Sequence, residues 1–169
     1  RRSSDLIAYA RGFGSNVLDA DGNCYVDLTC GFGALILGHA PPALGDALAA
    51  QQADLPMALG DVYASEVKVE ACEAIAKLFP EPGARVLLGS SGADALTAAL
   101  KTAMLATGRP GVIAFEGAYH GLSYGPLSLC GLAPAFRDPF AASLSPHVSF
   151  VPYPGHDAEL EALEVTLRD

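Results

Sequence analysis

Charge is scarce in this sequence, and what cation there is lies scattered. Only 17% of the 169 residues are Asp, Glu, Lys or Arg, and the net charge is -9. No basic cluster offsets the acid, so nucleic acid and anionic membrane surfaces are poor candidate partners, and any bound anion must be held locally. Long hydrophobic runs are missing too. The most apolar stretch, Leu28 to Ala40, is broken by glycines and too short to cross a bilayer, and no secretory signal is read in the chain. Cys24, Cys30, Cys72 and Cys130 form no CxxC pair. That pattern predicts reduced, buried thiols in a cytoplasmic protein rather than disulfides or a zinc site. There is no GxGxxG and no Walker lysine-serine ending, which weakens nucleotide-binding readings.

Apolar residues, in contrast, make up 51% of the chain, ample for a packed core and too many for a disordered segment. The sequence opens on Arg1-Arg2 and stops inside a helical pattern, which predicts a portion of a larger protein. Its character changes near position 60. Before that point, Asn16 to Leu28 has apolar residues on both sides of Asp21-Gly22 and predicts a hairpin. Thr29 to Pro42 is glycine-rich, its middle expected as a close-packed loop because of Gly31 and Gly33, and Pro41-Pro42 should open a helix over Ala43–Gln52.

Beyond position 60 strands and helices alternate. Val69, Cys72, Ile75, Ala76 and Phe79 recur at spacings of three and four, predicting an amphipathic helix from Ser65 to Phe79 that Pro80-Glu81-Pro82-Gly83 ends. Arg85-Val86-Leu87-Leu88 predicts a short buried strand. A helix should follow from Gly92 to Ala106, with Asp94, Thr97 and Lys101 on a polar stripe and Leu96, Leu100 and Ala103 on the apolar side, closed by Gly108 and Pro110. Gly111 to Phe115 predicts another strand, and a Pro-studded connection leads to a strand at Val148–Pro152 and a helix beginning near Asp157. This alternation implies right-handed βαβ units and a largely parallel sheet covered on both faces.

Gly89-Ser90-Ser91-Gly92-Ala93-Asp94 stands where a strand runs into a helix. Free backbone N–H groups and the positive end of the helix dipole meet there, at the sheet edge where α/β proteins place ligands. Gly92 allows close backbone approach, and the hydroxyls of Ser90 and Ser91 can donate to an anion. The same letters also read as a plain capping box, with Ser91 satisfying its own helix. A second element, Gly117-Ala118-Tyr119-His120-Gly121, follows the next strand and can share that edge. Its tyrosine is able to stack on a flat ring, although a packed aromatic and a backbone-bonded histidine would look the same in sequence.

Four stretches together resemble the class III aminotransferases. They are Asp19-Ala20-Asp21-Gly22-Asn23 through Asp27-Leu28, Gly38-His39-Ala40-Pro41-Pro42, Ser90 through Lys101, and Ala118-Tyr119-His120-Gly121. Their order and spacing agree along nearly the whole chain with this pyridoxal-phosphate family, which includes ornithine, acetylornithine, 4-aminobutyrate and diaminobutyrate transaminases and glutamate-1-semialdehyde aminomutase. The resemblance implies an incomplete α/β fold of type I. Residues 1–60 would be an N-terminal segment belonging to a small domain, and 61–169 the first part of the large three-layer α/β/α domain. It also implies that Gly92 and Ala93, with Ser91 before them, hold the phosphate of pyridoxal 5'-phosphate, that Tyr119 covers the pyridine ring with His120 beside it, and that Phe32 lies beside the substrate.

Asp94 replaces the family's usual glutamate, Ala93 a frequent threonine or serine, and Met104 a frequent arginine. The catalytic residues are not assigned. Transamination needs a lysine to carry the cofactor and an acid to keep its ring nitrogen protonated, and both lie beyond the chain's last residue in the family. Of the lysines present, Lys68, Lys77 and Lys101 read as surface residues, and Lys101 stands nine positions from Gly92, roughly 13 Å along a helix.

The resemblance implies an amino-acid or amine donor, a 2-oxo acid or aldehyde acceptor, and a cytoplasmic homodimer. A mutase or racemase of the same fold carries the same motifs. A non-catalytic α/β module is the alternative of another class. The chain alone is expected to be inactive and, with an incomplete sheet and bare apolar helix faces, unstable.

Overall fold

Asp19 organises the first hairpin. Its carboxylate accepts the N–H groups of Asp21 at 3.0 Å and Asn23 at 2.8 Å, the Asn23 side-chain amide at 2.9 Å and the Tyr25 hydroxyl at 2.9 Å. Donation from the Asn23 amide, chiefly, holds the Asp19 carboxyl below the usual range although burial opposes it, and the Tyr25 hydroxyl is pushed up by its bond to that carboxylate. Around this turn β2 (Asn16–Asp19) and β3 (Cys24–Val26) pair antiparallel, as the Asp-Gly pattern predicts. The structure is a computed structural model and describes residues 6–60, 62–156, 159–161 and 163–164. The chain divides into two compact units, 1–69 and 70–169.

In the first unit β1 (Tyr9–Phe13) adds a strand to the hairpin, giving the order β1-β2-β3. The sequence did not announce it, because four of its five residues are exposed and no buried face imprints a period-two pattern. Gly14 and His39 bridge β1's end to the glycine-rich stretch, each donating its N–H to the other's carbonyl at 3.0 and 2.7 Å. Gly38 is required there. Its φ is +76°, and a side chain would meet the Gly14 carbonyl oxygen at 2.7 Å.

The His39 ring then donates from Nε2 to Asp27 at 2.7 Å, while the other Asp27 oxygen accepts the N–H groups of Thr29 and Cys30, each at 3.0 Å. The bond from His39, first, holds the Asp27 carboxyl below its usual range against the effect of burial. The stretch after Asp27 forms only α1 (Cys30–Gly33), a kinked turn with Gly31 and Phe32 both at positive φ. The middle of the stretch, around Gly31 and Gly33, is not the close-packed loop expected. Successive left-handed residues turn the chain outward, and Phe32 is 98% exposed. The helix opened by proline is present as α2 (Pro42–Asp54).

A third helix, α3 (Glu66–Ala76), is shorter than Ser65–Phe79. Past Ala76 the N–H groups of Leu78 and Phe79 bond to the carbonyls of Ile75 and Ala76 at 3.0 and 3.2 Å, a tighter winding ahead of Pro80. Arg85–Leu88 is not the buried strand expected. It pairs with no strand among the described residues, and Leu87 is 73% exposed. An apolar run becomes a parallel strand only where neighbours supply the ladder, and composition alone cannot provide them.

In the second unit α4 (Gly92–Thr107) ends on Gly108 in the left-handed conformation, as its sequence indicates. It is followed by β4 (Val112–Phe115), which pairs parallel with β5 (Val148–Val151), Val112 opposite Val148 through Phe115 opposite Val151. The Pro-studded connection between them folds into α5 (Tyr124–Ser128), α6 (Pro134–Arg137) and a 3-10 turn over Asp138–Ser143. Thr97, expected on a polar stripe, is half-buried instead. Its hydroxyl donates to the Ala93 carbonyl at 2.8 Å, and α5 approaches it through Gly125.

The buried residues of this unit include Ala114, Leu127, Leu129, Cys130 and Ser128, and the Ser128 hydroxyl donates to the Tyr124 carbonyl and accepts the Ser145 N–H. All four cysteines are free, but only Cys130 is buried. Cys24 is exposed, and Cys30 and Cys72 are partly covered. The predicted start of the last helix, near Asp157, lies outside the described residues. Among the described residues no helix is long and apolar enough to cross a membrane.

Candidate functional site

Ser91 caps α4 from an extended backbone, and its Oγ accepts the Asp94 N–H at 3.1 Å. Asp94 in turn accepts the Ser90 N–H at 3.0 Å. The capping reading of this turn is therefore real, but it does not use every donor. Ala95 is the first residue to bond back into the helix, to the Ser91 carbonyl at 3.0 Å, and the N–H groups of Gly92 and Ala93 meet no acceptor among the described residues. Because Ser91 Oγ takes the cap bond as an acceptor, its own proton remains available to donate.

Gly92 has no structural excuse within the protein. Its φ is not in the left-handed region, and a side chain there would meet nothing within 4 Å. The space it leaves is part of a cleft of about 650 Å³ lined by Gly92, Ala93, Ala95, Leu96, Ala99, Tyr119, His120 and Gly121. One wall is the face of α4 that repeats at 92, 96 and 99; the other is the loop after β4.

That loop is pinned at both ends. Gly117 donates its N–H to the Gly131 carbonyl at 3.0 Å, and Gly131 itself presses on the Phe115 carbonyl at the end of β4. Gly121, at φ +101°, lies against α4 so closely that a side chain would stand 2.7 Å from the Ala93 Cβ. This approach carries Tyr119 and His120 to the start of the helix. Tyr119 is 53% exposed, and its ring meets Phe136 edge-on. His120 is half-buried and makes no hydrogen bond among the described residues, so the backbone-bonded reading of it does not apply.

Of the residues singled out from sequence, Gly92, Ala93, Tyr119 and His120 line one cleft, and Ser91 stands immediately before it. Phe32 belongs to the first unit, where its exposure rules out a core role. Lys68, Lys77 and Lys101 are all exposed, as read. Sequence reasoning missed Ala95, Leu96, Ala99 and Gly121 as lining residues. The first three were legible as the helical continuation of Gly92; the fourth was quoted only as a motif letter, because its contact with Ala93 is tertiary.

Comparison with known proteins decides the family. The profile described as Aminotransferase class-III matches residues 1–168. The chain belongs to the class III aminotransferases. Acetylornithine aminotransferase of Streptomyces clavuligerus is 39% identical over 160 residues, covering 95% of this chain and 38% of that protein. Alanine/serine racemase of Pyrococcus horikoshii is 33% identical over 144 residues, 85% of this chain and 30% of its own length. The crystal structure of the omega transaminase from Pseudomonas jessenii in complex with PMP superposes with a TM-score of 0.82 at 24% identity, covering 96% of this chain and 39% of that one. This class III chain thus spans well under half the length of these relatives. It carries part of the type I α/β fold, and the cofactor of its family is pyridoxal phosphate.

Proposed function

We propose that this chain forms the phosphate cup and ring cover of a pyridoxal-phosphate-dependent aminotransferase that moves an amino group from an amino-acid or amine donor to a 2-oxo acid or aldehyde. One observation carries the reading: Gly92 and Ala93, whose N–H groups meet no acceptor among the described residues, line the same cleft as Tyr119 and His120. The residues fit the group. Unused donors at the positive end of a 16-residue helix suit a phosphate, the missing side chain at Gly92 leaves room for it, and a half-exposed tyrosine suits a planar ring.

When bound, the cofactor would supply the electron sink for chemistry at the substrate carbon. The chain's own part is to bind and orient. Gly92 and Ala93 would donate backbone N–H groups to the phosphate, and Ser91 its hydroxyl. Tyr119 would cover the ring with His120 beside it, and Leu96 and Ala99 would exclude water from that end of the cleft. Phe32 is assigned to the substrate side because of its place in the family motif. The lysine that carries the cofactor is assigned to sequence outside this chain, since Lys68, Lys77 and Lys101 are exposed and none lines the cleft.

We further assign residues 1–60 to the small domain and 61–169 to the large one, in a cytoplasmic homodimer without nucleic-acid or membrane partners. The scattered cations and the family support this. The test uses the full-length protein. With an amino donor and 2-oxoglutarate it should form glutamate, and its visible cofactor band should be bleached by borohydride. The racemase relative supports a second reading. Absence of glutamate together with inversion of an amino acid's α-carbon would favour it.

A further inference from the structure

The residue that would cover the cofactor is itself held from behind. Tyr119 and Phe136 stand with ring centroids 6.0 Å apart and planes inclined by 68°, an edge-to-face arrangement of the kind aromatic pairs prefer. Phe136 sits on α6, and its neighbour Arg137 ties that short helix to the sheet: the guanidinium carbon lies 4.2 Å from the centre of the Phe150 ring on β5. Phe136 is 37% exposed, so more than half of its surface is covered.

Tyr119 has few other restraints. It sits in a loop whose neighbouring backbone contacts are the Ala118 N–H to the Phe115 carbonyl at 3.3 Å and the approach of Gly121 to Ala93. Its hydroxyl makes no hydrogen bond among the described residues. A tyrosine with half its surface in solvent samples several ring orientations on a short timescale unless something excludes them. A ring cover is useful only in one orientation, since stacking requires its plane to lie against the cofactor.

We propose that Phe136 is a positioning residue for Tyr119: its edge contact selects the ring orientation, and the Arg137–Phe150 stack fixes α6 so that Phe136 cannot yield. This inference rests on the assignment of Tyr119 as the ring cover. Phe136 need not touch the cofactor and acts through Tyr119.

The test is a double-mutant cycle in the full-length protein, stripped of cofactor and titrated with pyridoxal phosphate, with the induced circular dichroism of the bound cofactor as a second readout. Phe136→Leu should weaken cofactor binding by about 2- to 10-fold, the range corresponding to an aromatic pair, and reduce the dichroism, while Phe136→Tyr should preserve both. In a Tyr119→Ala background Phe136→Leu should add no further loss. Thermal unfolding of each apo-protein confirms folding, and Phe136→Met replaces the leucine variant if that one does not fold.

Equal losses from Phe136→Leu with and without Tyr119, or no loss at all, would overturn the positioning role while leaving the cofactor site intact. If Tyr119→Ala alone changes neither binding nor dichroism, the ring-cover assignment falls and the inference falls with it.

Discussion

Around Asp19 and Asp27, in the first unit, backbone and side-chain donors converge on two carboxylates that accept them. At the start of α4, in the second unit, Gly92 and Ala93 line a cleft, and their N–H groups meet no acceptor among the described residues. Both places are rich in glycine and short polar residues, and in sequence they look alike. The difference is whether the local polar groups close on one another. Asp19 and Asp27 spend their lone pairs on turns and so hold a scaffold together; the helix start keeps donors in reserve, as an anion site must. Asp94 marks the border between the two habits, because it neutralises the Ser90 N–H and leaves the next two donors alone.

The sharpest way to break the open site is at its tightest contact. Gly121→Ala introduces a side chain at φ +101° and 2.7 Å from the Ala93 Cβ. Backbone strain and overpacking each cost on the order of 1–3 kcal/mol, so a loss of about 3 kcal/mol is expected in urea unfolding of the full-length protein. Pyridoxal phosphate should also bind more weakly, because the loop lifts Tyr119 away from the helix. A loss below about 1 kcal/mol would mean the loop shifts freely, and the cleft would not be defined by this approach.

The closed network should break next. Asp27→Ala removes the acceptor of His39, Thr29 and Cys30 together, and groups left unpaired are more damaging than a pair removed whole. The unfolding midpoint should fall by less than in Gly121→Ala. Asp27→Asn, which keeps a carbonyl oxygen for part of the network, should lie between Asp27→Ala and the unmodified protein. Equal midpoints for the three proteins would show that the network is ornamental.

How much of this was legible beforehand follows the same division. Elements whose signal is local were read correctly: the Asp21-Gly22 hairpin, the proline-started α2, α4 with its Gly108 cap, and the strands β4 and β5. Features that depend on a distant neighbour were not. Arg85–Leu88 lacks a ladder partner among the described residues, β1 has no buried face, and α5 and α6 hide in a stretch that reads only as proline-studded. The cleft was half legible. Gly92 and Tyr119 were found by their place after successive apolar runs, of which only the second is a strand, but Gly121 and Phe136 matter through contacts 28 and 17 residues away in sequence, which no local pattern encodes.

Acid should separate the two regions without mutation. Asp19 and Asp27 both have carboxyls lowered in the folded state, against an unfolded value of about 3.9. A lowered folded-state pKa contributes stability that is fully present above the unfolded value and is lost as pH falls through the folded one. The melting midpoint should therefore stay level from neutrality down to about pH 5 and drop below about pH 4. Asp27→Asn should flatten part of that drop. A midpoint that falls equally steeply in the variant would remove Asp27 as a source of the acid sensitivity.

The smallest effect on stability is expected at Gly92, and it is the most informative. A methyl there meets nothing within 4 Å, the backbone is not left-handed, and alanine favours the helix over glycine by up to about 1 kcal/mol in a helix interior and by less at its first turn. Gly92→Ala should thus leave the unfolding midpoint unchanged or slightly raised. Yet the methyl would occupy the space beside the N–H groups of Gly92 and Ala93, so pyridoxal phosphate should bind more weakly while the fold stays as stable as before. Loss of stability without loss of binding would mean that Gly92 serves packing. The open start of α4 would then be an ordinary helix end facing water, and the contrast with the carboxylate network would carry no functional meaning.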